Sequence, residues 1–415
     1  MQVKTGWTGG QYSIYRAVFG LYLFIHFVRL VPWGPELFSS QGVLPRASES
    51  PLIRLFPNIL AIWDSPILVQ LLLCAAAALA VFFAIGLWDR AASVGLWYVG
   101  ACLLGRNPLI ANPGLPYIGW LLLAHAFLPP APYGSWAARG RPDPDGGWKM
   151  MPSIYFAAWV LMALGYSYSG AMKLSSISWL DGSAFARVLE NPLARPGFLR
   201  VWTLSWPTSL LHLATWAALG MELLFAPLAL IRKLRPWIWS VMLMMHFGLF
   251  VLVDFVDLTA GMVILHLFTF DPAWISPLVA TKTDELFYDG HCGLCHRTVR
   301  FVLAEDLGNN AFRFAPLQGE TFQALVPVEK RAGLPDSIVI RTADGSLLAR
   351  SDAVVRLLER LGGGWRILGA ILAAIPRGLR DAVYDFIARI RYRVFGKRDD
   401  LCPIVPPALR QRFDL

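Results

Sequence analysis

Charged residues are scarce in this chain: Asp, Glu, Lys and Arg make up 16% of its 415 residues, against 56% hydrophobic ones. That balance excludes an ordinary water-soluble chain and leaves a polytopic membrane protein. A small-residue cleavage site is missing before Val31, and Arg16 interrupts the first apolar run, so this run is not read as a removed signal peptide. Near the C-terminus, Cys292-Gly-Leu-Cys-His296 spells a c-type haem attachment pattern. However, no methionine follows Met262 and no histidine follows His296, so the residues around the pattern offer no usual second axial ligand. A zinc site built on His291, Cys292, Cys295 and Cys402 lacks a second Cys-x-x-Cys or His pair, and no metal is expected.

What the chain does have is long apolar runs rich in aromatics, with 17 Trp and 25 Phe. Crossing the hydrocarbon takes about 20 residues of helix. Runs near Tyr12 to Pro32, Pro66 to Trp88, Ala91 to Ile110, Leu115 to Leu128, Ser153 to Leu174, Leu210 to Ile231, Trp237 to Val256 and Leu258 to Trp274 give about eight spans. The fold expected is an all-α polytopic bundle over 1–280, followed by a soluble α/β domain over 281–415. The formal net charge of +9 is shared by both parts, and a bilayer with anionic lipids explains it more simply than nucleic acid. With an even span count, the connections carrying Lys4, Arg90, Arg139, Arg232 and Lys282 are richer in Lys and Arg than those carrying Arg46, Arg106 and Arg195. This bias places both termini, and the C-terminal domain, on the cytoplasmic side of a multi-pass cell-membrane protein.

Ionisable groups inside a bilayer are costly and point to function by default. His26, His125, His212, His246 and His266 fall in the expected spans, with Arg16, Arg29, Lys173 and Glu222. Singly, such histidines are helix-packing residues; together with a lysine and a glutamate they suggest a polar cavity, with room for a quinone-like or lipid-like ligand. Cys74 and Cys102 are read as packing residues. Lys173 closes the fifth run, in Gly170-Ala-Met-Lys-Leu174. An amine held in an apolar site can act as a proton-abstracting base, and the competing reading is a lysine snorkelling from a helix end.

The arrangement of Gly170, Lys173, Leu174, Trp179 and Gly182 resembles the stretch around the catalytic lysine of vitamin K-dependent gamma-carboxylase and its bacterial relatives, the horizontally transferred transmembrane (HTTM) family. An arginine in the first span and His246 in the seventh agree. The resemblance implies a helical membrane domain with Lys173 as base, a gamma-carboxylase-like alternative for the function. Two departures stand against glutamate carboxylation. Met172 occupies the place of the family's second lysine, and the large extramembrane domain for a protein substrate has no counterpart.

After Asp271-Pro272 the pattern changes. Glu285-Leu-Phe-Tyr288 reads as a strand, Asp289-Gly290 as a turn, and Val299 to Leu307 as a helix, with a second strand at Ala311 to Ala315. Ser337 to Arg341, the turn Ala343-Asp-Gly345 and Ser346 to Ala349 read as a hairpin, followed by a helix from Ala353 to Leu361. Strand, Cys-x-x-Cys helix, strand, an approach through Pro335 to the hairpin, then a helix is a thioredoxin-like order. Two intervening residues bring both sulfurs into the first helical turn, where free backbone N–H groups favour a Cys292 thiolate; Cys292 then attacks a disulfide and Cys295 resolves it. His291 or Arg297 could add positive charge. The exchange needs no cofactor, and its partner would be a disulfide-containing protein or a small thiol. The competing reading is an idle cysteine pair.

Phe287-Tyr-Asp-Gly-His-Cys-Gly-Leu-Cys295, Ile375-Pro-Arg-Gly-Leu-Arg-Asp-Ala-Val-Tyr384, Ala388-Arg-Ile-Arg-Tyr392, Phe395-Gly-Lys397 and Cys402 together resemble the DCC family of thiol-disulfide oxidoreductases. The resemblance implies Cys292 and Cys295 as the redox pair, in a protein-disulfide reductase type of enzyme. A third function class remains, a membrane scaffold or transporter with a regulatory dithiol. From Trp365 to Phe395 apolar residues recur at helical spacing among Arg366, Arg377, Arg380, Arg389, Arg391 and Arg393, broken at Pro376. This reads as a basic amphipathic helix lying on a membrane surface or packed on the domain core.

Overall fold

The computed structural model describes residues 5–278, 283–306, 308, 310–335, 337–400, 402, 403 and 405–414. Lys4, Lys282, Leu307 and the boundary at 280–281 lie outside the described residues. Contacts divide the chain into two units, one made of Tyr15–Leu128 and Met151–Phe270, the other of Met1–Ile14, Pro129–Met150 and Asp271–Leu415. Two segments from the N-terminal part of the sequence, 1–14 and 129–150, therefore belong with the C-terminal residues.

The first unit is helical. Its main helices are α1 (Gly9–Leu30, which begins in the other unit), α2 (Pro66–Ile85), α3 (Asp89–Arg106), α4 (Leu115–Phe127), α5 (Pro152–Lys173), α6 (Thr208–Ala229), α7 (Arg235–Leu252) and α8 (Val256–Thr269), with shorter turns between them. Punctuation is local. Ser65 Oγ accepts from Leu68 N at 3.3 Å and Pro66 opens α2, while Gly86, with φ +73°, ends it in the left-handed conformation a side chain rarely adopts.

Each expected span holds a helix, but among the described residues four, α1, α2, α6 and α7, are long and apolar enough to cross a bilayer. In α3 Asp89, Arg90 and Arg106 interrupt the apolar run, and α5 interleaves Tyr155, Tyr166, Ser167, Tyr168 and Ser169. With 13 and 14 residues, α4 and α8 reach about 20 Å at about 1.5 Å per residue, short of a hydrocarbon core about 30 Å thick. The outward faces are apolar, with Ile67 71%, Leu164 60% and Met244 65% exposed. Such a surface suits lipid.

The second unit holds β1 (Asp284–Tyr288), α9 (Gly293–Glu305), β2 (Phe312–Pro316), β3 (Val339–Arg341), β4 (Leu347–Ala349), α10 (Arg350–Leu361), α11 (Gly363–Ala374) and α12 (Arg377–Phe395). The sheet order is β2-β1-β3-β4, with β1 and β2 parallel and the other pairs antiparallel. Alternation sorts the side chains: Leu286, Tyr288, Phe312, Phe314 and Ile340 pack on Val299, Val302 and Leu303 of α9 and on Leu357 and Leu361 of α10. Phe287, Ala315 and Val339 turn to the opposite face and meet Phe322 and Val326.

Buried carboxylates tie the pieces together. Glu305, wholly buried, accepts from Thr8 Oγ1, from Gly10 N at 2.8 Å and from Trp365 Nε1 at 2.7 Å, which secures the N-terminal segment to α9 and α11. Asp284 meets Arg356 at 2.9 Å and Arg360 at 3.4 Å, locking α10 to β1. The tail packs on the core and also leaves apolar side chains exposed. Trp365, Leu372 and Tyr392 pack on the core, whereas Leu379, Val383, Phe386 and Val394 stay exposed. Its arginines are not all surface charges: Arg380 pairs with Asp352 at 2.8 Å and Arg391 is buried.

Candidate active site

The chain leaves β1 at Tyr288, turns through Asp289-Gly290 and enters α9 with Cys292 as the residue before its first turn. The turn is fixed by its own polar groups. Asp289 O accepts from Cys292 N at 3.2 Å, Asp289 Oδ1 from His291 N at 3.0 Å, and Gln318 Oε1 from Gly290 N at 3.1 Å. His296, which completes the haem-type pattern, is buried with Nε2 2.8 Å from Gly290 O. That position makes it a brace for the turn.

Both sulfurs lie in the core cluster, Cys292 wholly buried and Cys295 nearly so. The Cys292 thiol is drawn down to about 6, first by the hydrogen bond that Cys295 donates to it, then by the Cys295 and Leu294 N–H groups and by the Arg391 charge, against the opposing effect of burial. Donating that bond, together with burial, pushes the Cys295 thiol well up. The arrangement leaves one thiol lowered and the other raised.

The charge comes from Arg391 and not from the two residues that sequence spacing suggested. His291 is exposed, its Nδ1 3.2 Å from Arg398 O, and Arg297 lies over the Phe395 ring at 5.2 Å. Arg391 stands behind the turn, Nη2 3.4 Å from Asp289 Oδ2, and the Tyr392 hydroxyl donates to the same oxygen. The tail also covers Cys292: Gly293 N donates to Gly396 O at 3.1 Å, Arg398 N to His291 O at 2.9 Å, and Cys292 forms an isolated bridge with Lys397. From the other side, Ile338 rather than Pro335 enters the cysteine cluster, while Ser337 bonds to the Tyr384 hydroxyl at 2.6 Å. Cys402 is half-buried beside the cluster, and burial raises its thiol. All five cysteines are free, and among the described residues no group of three or more His, Cys, Asp or Glu is placed to hold a metal ion.

A family model of DCC1-like thiol-disulfide oxidoreductases matches residues 286–397. An uncharacterized protein of Bacillus subtilis, YuxK, is 37% identical over 132 residues, which is 31% of this chain and 91% of that protein. The chain belongs to the DCC1-like thiol-disulfide oxidoreductase family. A chloroplastic DCC family protein of Arabidopsis thaliana, At1g52590, is 31% identical over 28% of this chain and 68% of its own length. A further uncharacterized chloroplastic Arabidopsis protein, At5g50100, is 29% identical over 27% of this chain and 53% of its own length. No solved structure matches.

In the helical unit the expected polar residues meet in four hydrogen-bonded or ion-paired groups. Asp89 lies 3.3 Å from Arg16 and 3.5 Å from His125 Nε2. His26 Nδ1 lies 3.2 Å from Asp257 Oδ1, where both line a largely apolar cavity of about 520 Å³ with Tyr22, Trp97 and Trp120. Lys173 pairs with Glu222, reaches Ser169 Oγ at 2.8 Å and sits 5.0 Å from the Trp179 ring. The Tyr166 hydroxyl lies 2.6 Å from His246 Nε2 and 3.4 Å from His266 Nε2. His212 packs instead beside Gly182 and Trp216.

Sequence reasoning missed Arg391 and Tyr392 as partners of the dithiol turn, because their helical spacing reads equally well as a lipid-facing stripe. The signal was present. Arg391 and Tyr392 fall in Ala388-Arg-Ile-Arg-Tyr392, a motif of the same family resemblance as the dithiol motif. Asp257 and Asp89 were missed because each sits at the first turn of a helix, where an acidic residue is ordinary.

Proposed function

We propose that the protein is a membrane-anchored thiol-disulfide oxidoreductase in which Cys292 attacks a disulfide and Cys295 resolves it. One observation carries the reading: Cys292 combines a lowered thiol, donors from α9 and the Cys295 thiol, and the Arg391 charge. Thiolate is the attacking species, so a lowered thiol is what exchange at neutral pH needs. The substrate is a disulfide-containing protein or a small disulfide, and no cofactor takes part in the exchange. Reduced protein in detergent should reduce a model disulfide and Cys292→Ala should abolish this; an unchanged rate in that variant sinks the reading.

The anchoring is supported by the apolar outward faces of the helical unit. In this reading about eight helices cross a cell membrane, and the C-terminal domain is cytoplasmic, where a reducing pool favours reductase work. Cys292 is buried, so topology is best probed through Lys330→Cys, at an exposed position. Labelling by an impermeant thiol reagent in intact cells would place the domain outside.

A second reading concerns the helical unit, which we infer to be HTTM-like. It is supported by Lys173 and Trp179, two residues of the resemblance, which lie 5.0 Å apart at the end of α5, with Glu222 paired to the lysine. The cavity beside His26 and Asp257 suits a quinone-like or lipid-like molecule whose polar head meets the imidazole. Lys173 has a carboxylate partner, which supports a packing role over proton abstraction. A photoreactive quinone analogue should label Tyr22 or Trp97; labelling confined to other helices rejects the cavity as its site.

A further inference from the structure

The first turns of α9 present Gly293, His296, Arg297 and Arg300 on one side, at the i, i+3, i+4 and i+7 spacing of a single helix face. This face is one wall of a cleft of about 670 Å³. The facing wall comes from the 129–150 segment, with Ser135 and Arg139, and the third from Arg398, Cys402 and Pro403. Both segments belong to the same unit as α9.

The cleft is strongly cationic. Arg139, Arg297, Arg300 and Arg398 line it, against Asp400 as the acidic residue. Arg300 donates to the carbonyls of Arg141 and Pro142, neutral partners that position the guanidinium, and Asp143 acts on it as a nearby acidic charge. Arg139 rests on the Trp136 ring at 3.5 Å and Arg297 over Phe395, contacts that also preserve charge. Guanidinium groups that line one cleft raise its positive potential, and an anion that enters is drawn by it and accepts charge-assisted hydrogen bonds. The cleft also adjoins the nucleophile. Gly293, the residue after Cys292, lines it and donates to Gly396 O in the contact that covers the sulfur.

We propose that this cleft selects the substrate of the dithiol, a small disulfide or peptide disulfide carrying carboxylates close to its sulfurs. The proposal rests on the exchange reading above. The carboxylates seat on Arg297, Arg300 and Arg398, and the S–S bond reaches Cys292 once the Phe395–Lys397 strap shifts. The Cys292 thiolate then bonds to one substrate sulfur, the S–S bond breaks, and the first substrate thiolate leaves and takes a proton from water. Cys295 loses its proton to solvent, its sulfur attacks Cys292, and the second substrate thiolate leaves. Two electrons pass from the dithiol to the substrate, giving two thiols and a Cys292–Cys295 disulfide.

The test uses the full chain in detergent, reduced beforehand and freed of reductant, in single-turnover reactions with three probes. Glutathione disulfide is anionic, bis(2-hydroxyethyl) disulfide neutral and cystamine cationic. Glutathione disulfide should react about tenfold faster than cystamine at low salt, and the ratio should collapse in 0.5 M salt, on the order of the steering that local charge provides. Arg297→Gln with Arg398→Gln should lower the ratio of the anionic to the neutral probe about fivefold, and Arg297→Lys should keep most of it. Equal reactivity of the three probes, or an unchanged ratio in the double variant, overturns the proposal. Binding of S-methylglutathione, which has no disulfide, separates the two readings. Binding lost in the double variant, with no probe reduced by the native chain, keeps the cleft and removes the exchange chemistry; absence of binding removes the cleft.

Discussion

Arg391 and Asp289 lie 102 residues apart in the chain and meet as a buried ion pair, Nη2 to Oδ2 at 3.4 Å. Through it the last long helix is fastened to the turn that presents Cys292. The other carboxylate oxygen of Asp289 holds His291 N, and its carbonyl holds Cys292 N, so one residue receives both the tail and the dithiol.

Removing the charge at that junction should therefore be felt at the sulfur. Arg391→Met leaves Asp289 buried without its cation and takes away a favourable charge near the thiolate. An opposite charge nearby lowers an acid by about 1–3 units, so the Cys292 thiol should rise by about one unit. The midpoint of iodoacetamide alkylation against pH, followed on the reduced protein, reads this directly, and Arg391→Lys should restore most of the shift. An unmoved midpoint would leave the N–H groups and the Cys295 thiol as the whole cause.

The native chain has a pH signature of its own. Cys292 ionises at about 6 in the folded protein, against an ordinary value of 9.0. A depressed acid adds stability that is complete above the unfolded value and is lost as pH falls through the folded one. The melting temperature of the reduced native protein, less that of Cys292→Ala, should consequently widen from pH 5.5 to pH 9. A flat difference over that window would contradict a lowered thiol. Cys295, whose thiol is raised, should stay unalkylated across the same range until the protein is denatured.

Much of this site was legible in the sequence. The strand, the Asp289-Gly290 turn and the Cys-x-x-Cys helix declare themselves locally, through β-type alternation, a turn dipeptide and a change to helical spacing. The hairpin around Asp344-Gly345 does the same. The partners of the dithiol turn were less accessible, because Arg391 and Tyr392 reach Asp289 only through tertiary packing, and a helix with two apolar faces does not state which one is buried. The 129–150 segment carried even less signal. Its place beside α9 depends on Arg300 finding the carbonyls of Arg141 and Pro142, a pairing no spacing rule predicts. In the helical unit, hydropathy located the helices but could not sort His26, His125, His246 and His266 among Asp257, Asp89 and Tyr166.

Gly293 tests the cover over Cys292. A methyl group at this position would lie 2.2 Å from Phe395 O, well inside contact distance, and helix α9 is held by the core while the strap runs from the last residue of α12 into Gly396 and Lys397 beyond the helix. Gly293→Ala should thus displace Phe395–Lys397 instead of α9, and Cys292 should become several-fold more reactive toward a bulky maleimide. The comparison is made at pH 8, where the thiolate is well populated in both proteins. Equal rates would mean that the strap already opens faster than the reagent arrives.

The ion pair of the helical unit can be tried by a double-mutant cycle. Lys173 is 21% and Glu222 9% exposed at the side chain, so removing either partner strands a poorly solvated charge. Breaking a buried pair costs about 3–5 kcal/mol, and the partial exposure of Lys173 lowers this toward the smaller figure. Lys173→Met and Glu222→Gln should each depress the melting temperature in detergent, whereas the double variant should melt closer to the native protein than either single one. The same cycle discriminates between roles for Lys173. A phenotype that returns in the double variant follows from the pair, since the double variant relieves the stranded charge. A phenotype absent from both Lys173→Met and the double variant, with the melting temperature recovered, requires the amine itself and would restore Lys173 as a base.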